Sequence, residues 1–152
     1  MPISPTLRRA EPADLDTIVV FNRRMAAETE DIQLDADTVR RGGQAVLDDP
    51  GWGFYLVAEV DGRVVGQLMV TPEWSDWRNQ WFWWIQSVYV IPEFRRKGLF
   101  AALFREVEKQ AARRKDVAGI RLYVDENNWT AQETYKALGM QRSNYVMYEI
   151  ES

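Results

Sequence analysis

Apolar residues recur along this chain with two different periods, and the places where one period gives way to the other mark out its elements. Thr6 to Arg9 reads as a short opening strand. Leu15, Ile18, Val19 and Met25 then line one side of a helix that Asp14 would cap and that runs to about Ala27. The acidic run Glu28 to Asp31 interrupts it. A second helix is predicted from about Asp37 to Leu47, although Gly42 and Gly43 inside it cost about 1 kcal/mol each relative to Ala. Asp49, Pro50 and Gly51 end that helix.

The runs Phe54 to Val60 and Arg63 to Thr71 are rich in Val, Tyr and Leu and predict two strands. Asp61-Gly62 joins them, a dipeptide that tolerates the positive backbone angles of a two-residue hairpin turn. A polar, Trp-bearing loop is expected from Pro72 to Asn79, followed by a long central strand from Gln80 to Val90 that Pro92 stops. Leu99, Leu103, Val107 and Ala111 recur at every fourth position, which predicts a helix over Gly98 to Arg114. Ile120, Leu122 and Val124 alternate with other residues as in a strand; Thr130 to Leu138 reads as a helix closed by Gly139, and Tyr145 to Ile150 as a final strand. The order β-α-α-β-β-β-α-β-α-β implies an α/β fold in which helices cover both faces of one sheet.

A length of 152 residues suits one domain spanning 1–152. No stretch approaches the ~20 consecutive apolar residues of a membrane span, and Met1 to Leu7 has neither a basic leader nor an apolar run, so a cytoplasmic protein is expected. The chain has no Cys and no His, which removes thiolate nucleophiles, Ser/His/Asp triads and His/Cys zinc sites, and no metal is expected. Any general base is then a carboxylate, a Tyr, a Lys, the amino terminus or a water. The net charge of −4 weighs against nucleic acid and toward a cationic small substrate.

The segment most suggestive of chemistry is Ser87-Val88-Tyr89-Val90-Ile91-Pro92-Glu93-Phe94-Arg95-Arg96-Lys97-Gly98-Leu99-Phe100, in which a strand feeds a basic turn that opens a helix. The first N–H groups of a helix and its positive end bind pyrophosphate readily, and Arg95, Arg96 and Lys97 add formal charge. A solvated basic turn is the plain alternative. The turn and the order of elements together resemble the GNAT superfamily of N-acetyltransferases. Its cofactor signature, Arg or Gln, two residues, Gly, one residue, then Gly or Ala, falls on Arg95, Gly98 and Phe100, and Phe100 departs from the small residue usual there.

The resemblance implies a mostly antiparallel mixed sheet with a central, splayed parallel strand pair, and acetyl-CoA as co-substrate. Backbone groups of Val88, Tyr89 and Val90 would meet the pantetheine, with the Val88 N–H turned toward the thioester oxygen. Arg95, Arg96, Lys97, Gly98, Leu99, Phe100 and Ala101 would hold the pyrophosphate. A second matching stretch, Asn128 to Met140, carries the family's Asn128, Ala131, Tyr135 and Gly139. It implies Asn128 as a cofactor contact and Tyr135 as the acid that protonates the departing sulfur. A phenol with pKa ~10 is protonated at neutral pH, while the thiolate has pKa ~8.5.

The base is less legible, because Gln86 stands where some relatives of the superfamily carry a Glu. Glu28 is the first candidate, with Glu30, Asp31, Glu73 and Asp76 as alternatives. Five of the seven Trp lie between Trp74 and Trp84, where the superfamily lines its acceptor site. Trp74 and Trp77 with Asp76, Glu28, Glu30 and Gln86 are accordingly the candidate contacts to a small amine, by cation–π attraction and charge. A homodimer interface or plain core packing explains the same aromatics equally well. The competing functions are acetylation of a protein amine and a CoA-binding module without turnover.

Overall fold

The computed structural model describes residues 3–152, which form two compact units, one up to Leu122 and one from Tyr123 onward. The first holds a five-stranded sheet in the order β1 (Thr6–Arg9), β2 (Phe54–Val60), β3 (Arg63–Ser75), β4 (Gln80–Val90) and β5 (Val117–Arg121). The first four strands are antiparallel to their neighbours, and β5 runs parallel to β4. Helices α1 (Leu15–Glu30) and α2 (Ala36–Asp48) intervene between β1 and β2, and α3 (Leu99–Arg114) connects β4 to β5.

Two adjacent residues of β3 show how the helices divide. The Gln67 side chain reaches Asn22 of α1, and a Cβ on Gly66 would lie 3.9 Å from Leu103 of α3. Neighbouring strand residues point to opposite faces, so α1 and α3 cover opposite sides of the sheet. Ile18 of α1, Leu56 and Leu68 of the sheet, and Leu103 and Val107 of α3 are fully buried between these layers. Gly43, a costly residue for a helix, has a packing reason: a Cβ there would stand 3.0 Å from Leu15 Cδ1, so its absence lets α2 close on α1. The predicted Asp61-Gly62 turn has φ of 52° and 77°, the paired positive angles that a tight hairpin needs.

Several expectations are corrected. Asp14 does not cap α1 through its side chain; its buried carboxylate binds Arg8 at 2.7 Å and the Glu11 N–H at 2.7 Å. The Arg8 hydrogen bond holds this carboxyl below the usual range. Glu28 to Asp31 does not break α1, which continues to Glu30 and ends where Asp31 turns left-handed at φ 54°. The second helix begins at Ala36, because the Asp35 side chain accepts from Thr38 N–H. Pro72 to Asn79 is not a loop: the β3–β4 ladder continues out to Ser75 and Gln80, leaving only a four-residue turn. The strand expected around Ile120 to Val124 is β5, ending at Arg121.

In the second unit, α4 (Trp129–Ala137) forms as expected, with Asn128 accepting from the Ala131 N–H at its start and Gly139 at φ 97° beyond its end. Tyr145 to Ile150 is not a strand, which removes the last β from the predicted order. Tyr145, Val146, Met147, Tyr148 and Ile150 are exposed. Alternation marks a face that a strand would bury, but a strand exists only where a neighbouring edge pairs with it.

Candidate active site

The centre of the site is an irregularity in β4. Met69 pairs with Gln86 and Gln67 with Tyr89, so two steps along β3 match three along β4. The extra residue is accommodated at Ser87, whose φ of 52° is left-handed, a conformation that costs a residue other than Gly on the order of 1–3 kcal/mol. Gln67 Nε2 donates to the Ser87 carbonyl at 3.0 Å. On its other side β4 pairs with β5 only from Trp81 to Trp84. From Ile85 to Val90 the ladder to β5, which ends at Arg121, is absent among the described residues, so the backbone groups of β4 on that side are not claimed by β5.

The chain leaves β4 through a short 3₁₀ turn, Pro92–Phe94, and enters α3 through the basic turn. Arg96 at φ 61° and Gly98 at φ 79° give this turn two left-handed residues close together. A Cβ at Gly98 would meet nothing, so the glycine answers the backbone angle rather than a lack of space. The first bond of α3 runs from the Ala102 N–H to the Gly98 carbonyl, and the N–H groups ahead of it point out of the helix end. Such a positive, N–H-bearing end flanked by exposed Arg95, Arg96 and Lys97 has the donor chemistry a pyrophosphate requires. Phe100, the departure from the signature, sets its ring beside Phe104 one turn further on, with centroids 6.3 Å apart. Leu99 is buried and Ala101 half-buried, so both serve the packing of α3 as well.

Arg95 is held from two directions. Its Nε donates to the Val90 carbonyl at 2.8 Å, and its Nη2 pairs with Glu28 Oε2 at 2.8 Å. The other Glu28 oxygen accepts from the Tyr89 hydroxyl at 3.2 Å, and the Arg95 guanidinium lies 5.3 Å from the Tyr89 ring centroid. Glu28 therefore joins the end of α1 to the basic turn, with both its oxygens engaged. Burial, with the Glu28 charge beside it, pushes the Tyr89 phenol up, so this hydroxyl stays a donor.

The other acceptor candidates separate. Glu30 is exposed at the end of α1. Gln86 donates to Thr71 Oγ1 across the β3–β4 ladder at 2.5 Å. Trp74 packs edge-on against Trp81 at 4.9 Å and remains 48% exposed, whereas Trp77 at the hairpin tip is 90% exposed. Asp76 accepts from the Trp77 N–H, and Glu73 from the Trp84 indole at 2.7 Å. The aromatics thus line the outer part of a long hairpin instead of closing round a pocket. In the second unit Asn128 caps α4, and burial raises the pKa of the Tyr135 phenol, which keeps it protonated at neutral pH.

Two residues at the bulge, Gln67 and Asn22, escaped the sequence reading. The available signal was a single polar residue inside the apolar run Val64 to Val70, where a buried amide must find partners. Among the described residues no group of three or more His, Cys, Asp or Glu could hold a metal, and no helix is long and apolar enough to cross a membrane.

A bulged strand with one side unpaired, followed by a basic turn into a helix, has the backbone donors and charge that an acyl-CoA-dependent transferase needs. Residues 16–140 match the acetyltransferase (GNAT) family, and the chain belongs to it. Bovine thialysine N-epsilon-acetyltransferase is 29% identical over 148 residues, covering 89% of this chain and 83% of that protein. The crystal structure of a possible acetyltransferase from Clostridium difficile 630 superposes with a TM-score of 0.92 at 46% identity, covering 97% of each chain. The fold is shared as well with a predicted acetyltransferase from Clostridium acetobutylicum solved with acetyl-CoA, with a TM-score of 0.79 at 16% identity and 97% and 96% coverage. The protein is an acyl-CoA-dependent N-acetyltransferase.

Proposed function

We propose that the acceptor is the primary amine of a small, amino-acid-like or polyamine-like molecule, acetylated by direct attack on acetyl-CoA. The observation that carries this reading is the bulge at Ser87, which sets one peptide of β4 out of the ladder where β4 no longer pairs with β5. The similarity to a thialysine acetyltransferase supports an amino-acid-like amine. On this reading the chain works as a single acyltransferase domain over 1–152, and the family match across both units supports it.

In the proposed reaction Val88 and Val90 backbone groups orient the pantetheine arm, and Arg95, Arg96, Lys97 and the start of α3 hold the pyrophosphate. Asn128 is the proposed cofactor contact from the second matching motif. The neutral amine attacks the thioester carbonyl carbon, the new C–N bond forms, and the Val88 N–H donates to the oxygen as its negative charge grows. The C–S bond then breaks, Tyr135 gives its proton to the sulfur, and the proton that the nitrogen sheds on becoming an amide passes through solvent to restore the phenol, so no acyl-enzyme is formed. An alkyl ammonium has pKa ~10.4 and must first lose a proton. Glu28 already pairs with Arg95, whose charge competes with that of an ammonium, while Glu30 and Asp76 carry charge that no ion pair among the described residues offsets.

The exposure of Trp74 and Trp77 favours a second reading, in which the amine belongs to a peptide or protein lying along the open hairpin. Release of CoA thiol from acetyl-CoA, with pooled polyamines, amino acids, aminoglycosides and peptides as acceptors, distinguishes the two, and a protein without cysteine adds no background. Release with small amines is expected; release with peptides alone selects the second reading. In the productive pool, Tyr135→Phe should lower kcat by about 10²-fold or more while CoA affinity stays near wild type. Unchanged turnover would remove Tyr135 from the mechanism.

A further inference from the structure

A chain of buried polar groups runs beneath the bulge, and no step of the proposed reaction uses it. Gln67 is fully buried, and its Nε2 donates both to the Ser87 carbonyl at 3.0 Å and to Asn22 Oδ1 at 2.9 Å. Asn22, buried on α1, also lies near the buried Tyr55 hydroxyl of β2. The Ser87 carbonyl can only accept, so the Gln67 amide must present its nitrogen there. Its Oε1 is left without a partner among the described residues, an unfavourable state for a buried amide oxygen. The two bonds made by Nε2 hold the amide in place against that disadvantage.

The Ser87 carbonyl and the Val88 N–H are the two ends of one peptide unit. That unit is planar and trans, so its C=O and N–H point in opposite directions. Gln67 faces α1, and a carbonyl drawn toward it turns the Val88 N–H away from α1. The strand ladder cannot set this direction alone, because the register slips at this point.

We propose that Gln67, braced by Asn22, is a positioning residue that aims the Val88 N–H. The inference rests on the role assigned to Val88 above, and Gln67 itself touches no reacting atom. Gln67→Met removes the donor at every pH, whereas Gln67→Glu regains one when its carboxyl is protonated.

Kinetics of both variants, together with the Val88 amide resonance in ¹⁵N-labelled protein, test it. Outright loss of an oxyanion donor costs ~10²–10³ in kcat, so a misdirected donor in Gln67→Met is expected to cost about tenfold. The acetyl-CoA KM should stay within about threefold, and Gln67→Glu should recover relative to Gln67→Met as the pH falls. The Val88 resonance should move in both. If Gln67→Met does not fold, Gln67→Glu carries the same test through its pH profile and Val88 shift. A Val88 resonance that stays in place in either folded variant overturns the inference whatever the turnover. So does a kcat unchanged while the wild type is active. A Val88 amide shifted in the variants, beside a wild type that acetylates no amine, supports the positioning role and sinks the proposed reaction instead.

Discussion

Toward its tip the β3–β4 hairpin pairs residue for residue, Pro72 with Trp83, Glu73 with Phe82 and Trp74 with Trp81; Phe82 and Trp83 are buried, while Trp74 and, in the turn, Trp77 stand in solvent. Toward Val90 the same two strands fall out of step, and the misfit is filled by Gln67, Asn22 and a left-handed Ser87. The regular end is held by aromatic side chains, which tolerate exchange for other apolar groups. The irregular end is held by hydrogen bonds in a buried setting, where losing one partner strands another. A backbone group can be offered to a substrate only where the ladder does not already claim it. In the proposed reaction the bulged end therefore serves chemistry and the tip recognition.

The sharpest way to break this comparison is at Ser87. Ser87→Val places a β-branched residue at φ 52° and is expected to lower stability by about 2 kcal/mol or more, with a loss of kcat; Ser87→Gly should raise stability by up to about 1 kcal/mol. Urea unfolding of both variants measures the difference, and equal midpoints would mean that the bulge carries no strain. At the tip, Trp74→Ala removes an edge-on pair worth about 0.5–1.5 kcal/mol. It should raise the amine KM and leave kcat alone, whereas a fall in kcat alone would move the tip into the chemistry.

Glu28→Gln separates an anchor from a base. Glu28 and Arg95 are each roughly two-fifths exposed, and such pairs contribute about 0–1 kcal/mol, so stability should hardly change. Loss of Arg95's partner should raise the acetyl-CoA KM by about fivefold or less, matching that range. A hundredfold fall in kcat with loss of the acidic limb of the pH profile would instead make Glu28 the base. Trp77→Ala, at the most exposed of these positions, should shift stability by no more than about 0.5 kcal/mol. Its amine KM then reports recognition without interference from folding, and no change there would leave Trp77 outside the acceptor's reach.

Local rules were enough to read most elements from the chain. The four-residue spacing of Leu99, Leu103, Val107 and Ala111 marked α3, and Asp61-Gly62 marked the hairpin, since both depend on neighbours in sequence. The basic turn with Gly98 was legible for the same reason. Pairing partners were not. Nothing local says that Pro72 to Ser75 finds Gln80 to Trp83 across a turn, or that Tyr145 to Ile150 forms no strand.

The sequence by itself thus determined the class of fold, the basic turn into α3, and the lack of thiol and imidazole side chains. These follow from composition and short-range pattern. Only the tertiary structure decided that Glu28 meets Arg95 and Tyr89, and that Asn22, Gln67 and Ser87 converge from α1, β3 and β4. A buried hydrogen bond needs donor and acceptor within about 3 Å from elements far apart in the chain, and that distance is set by packing.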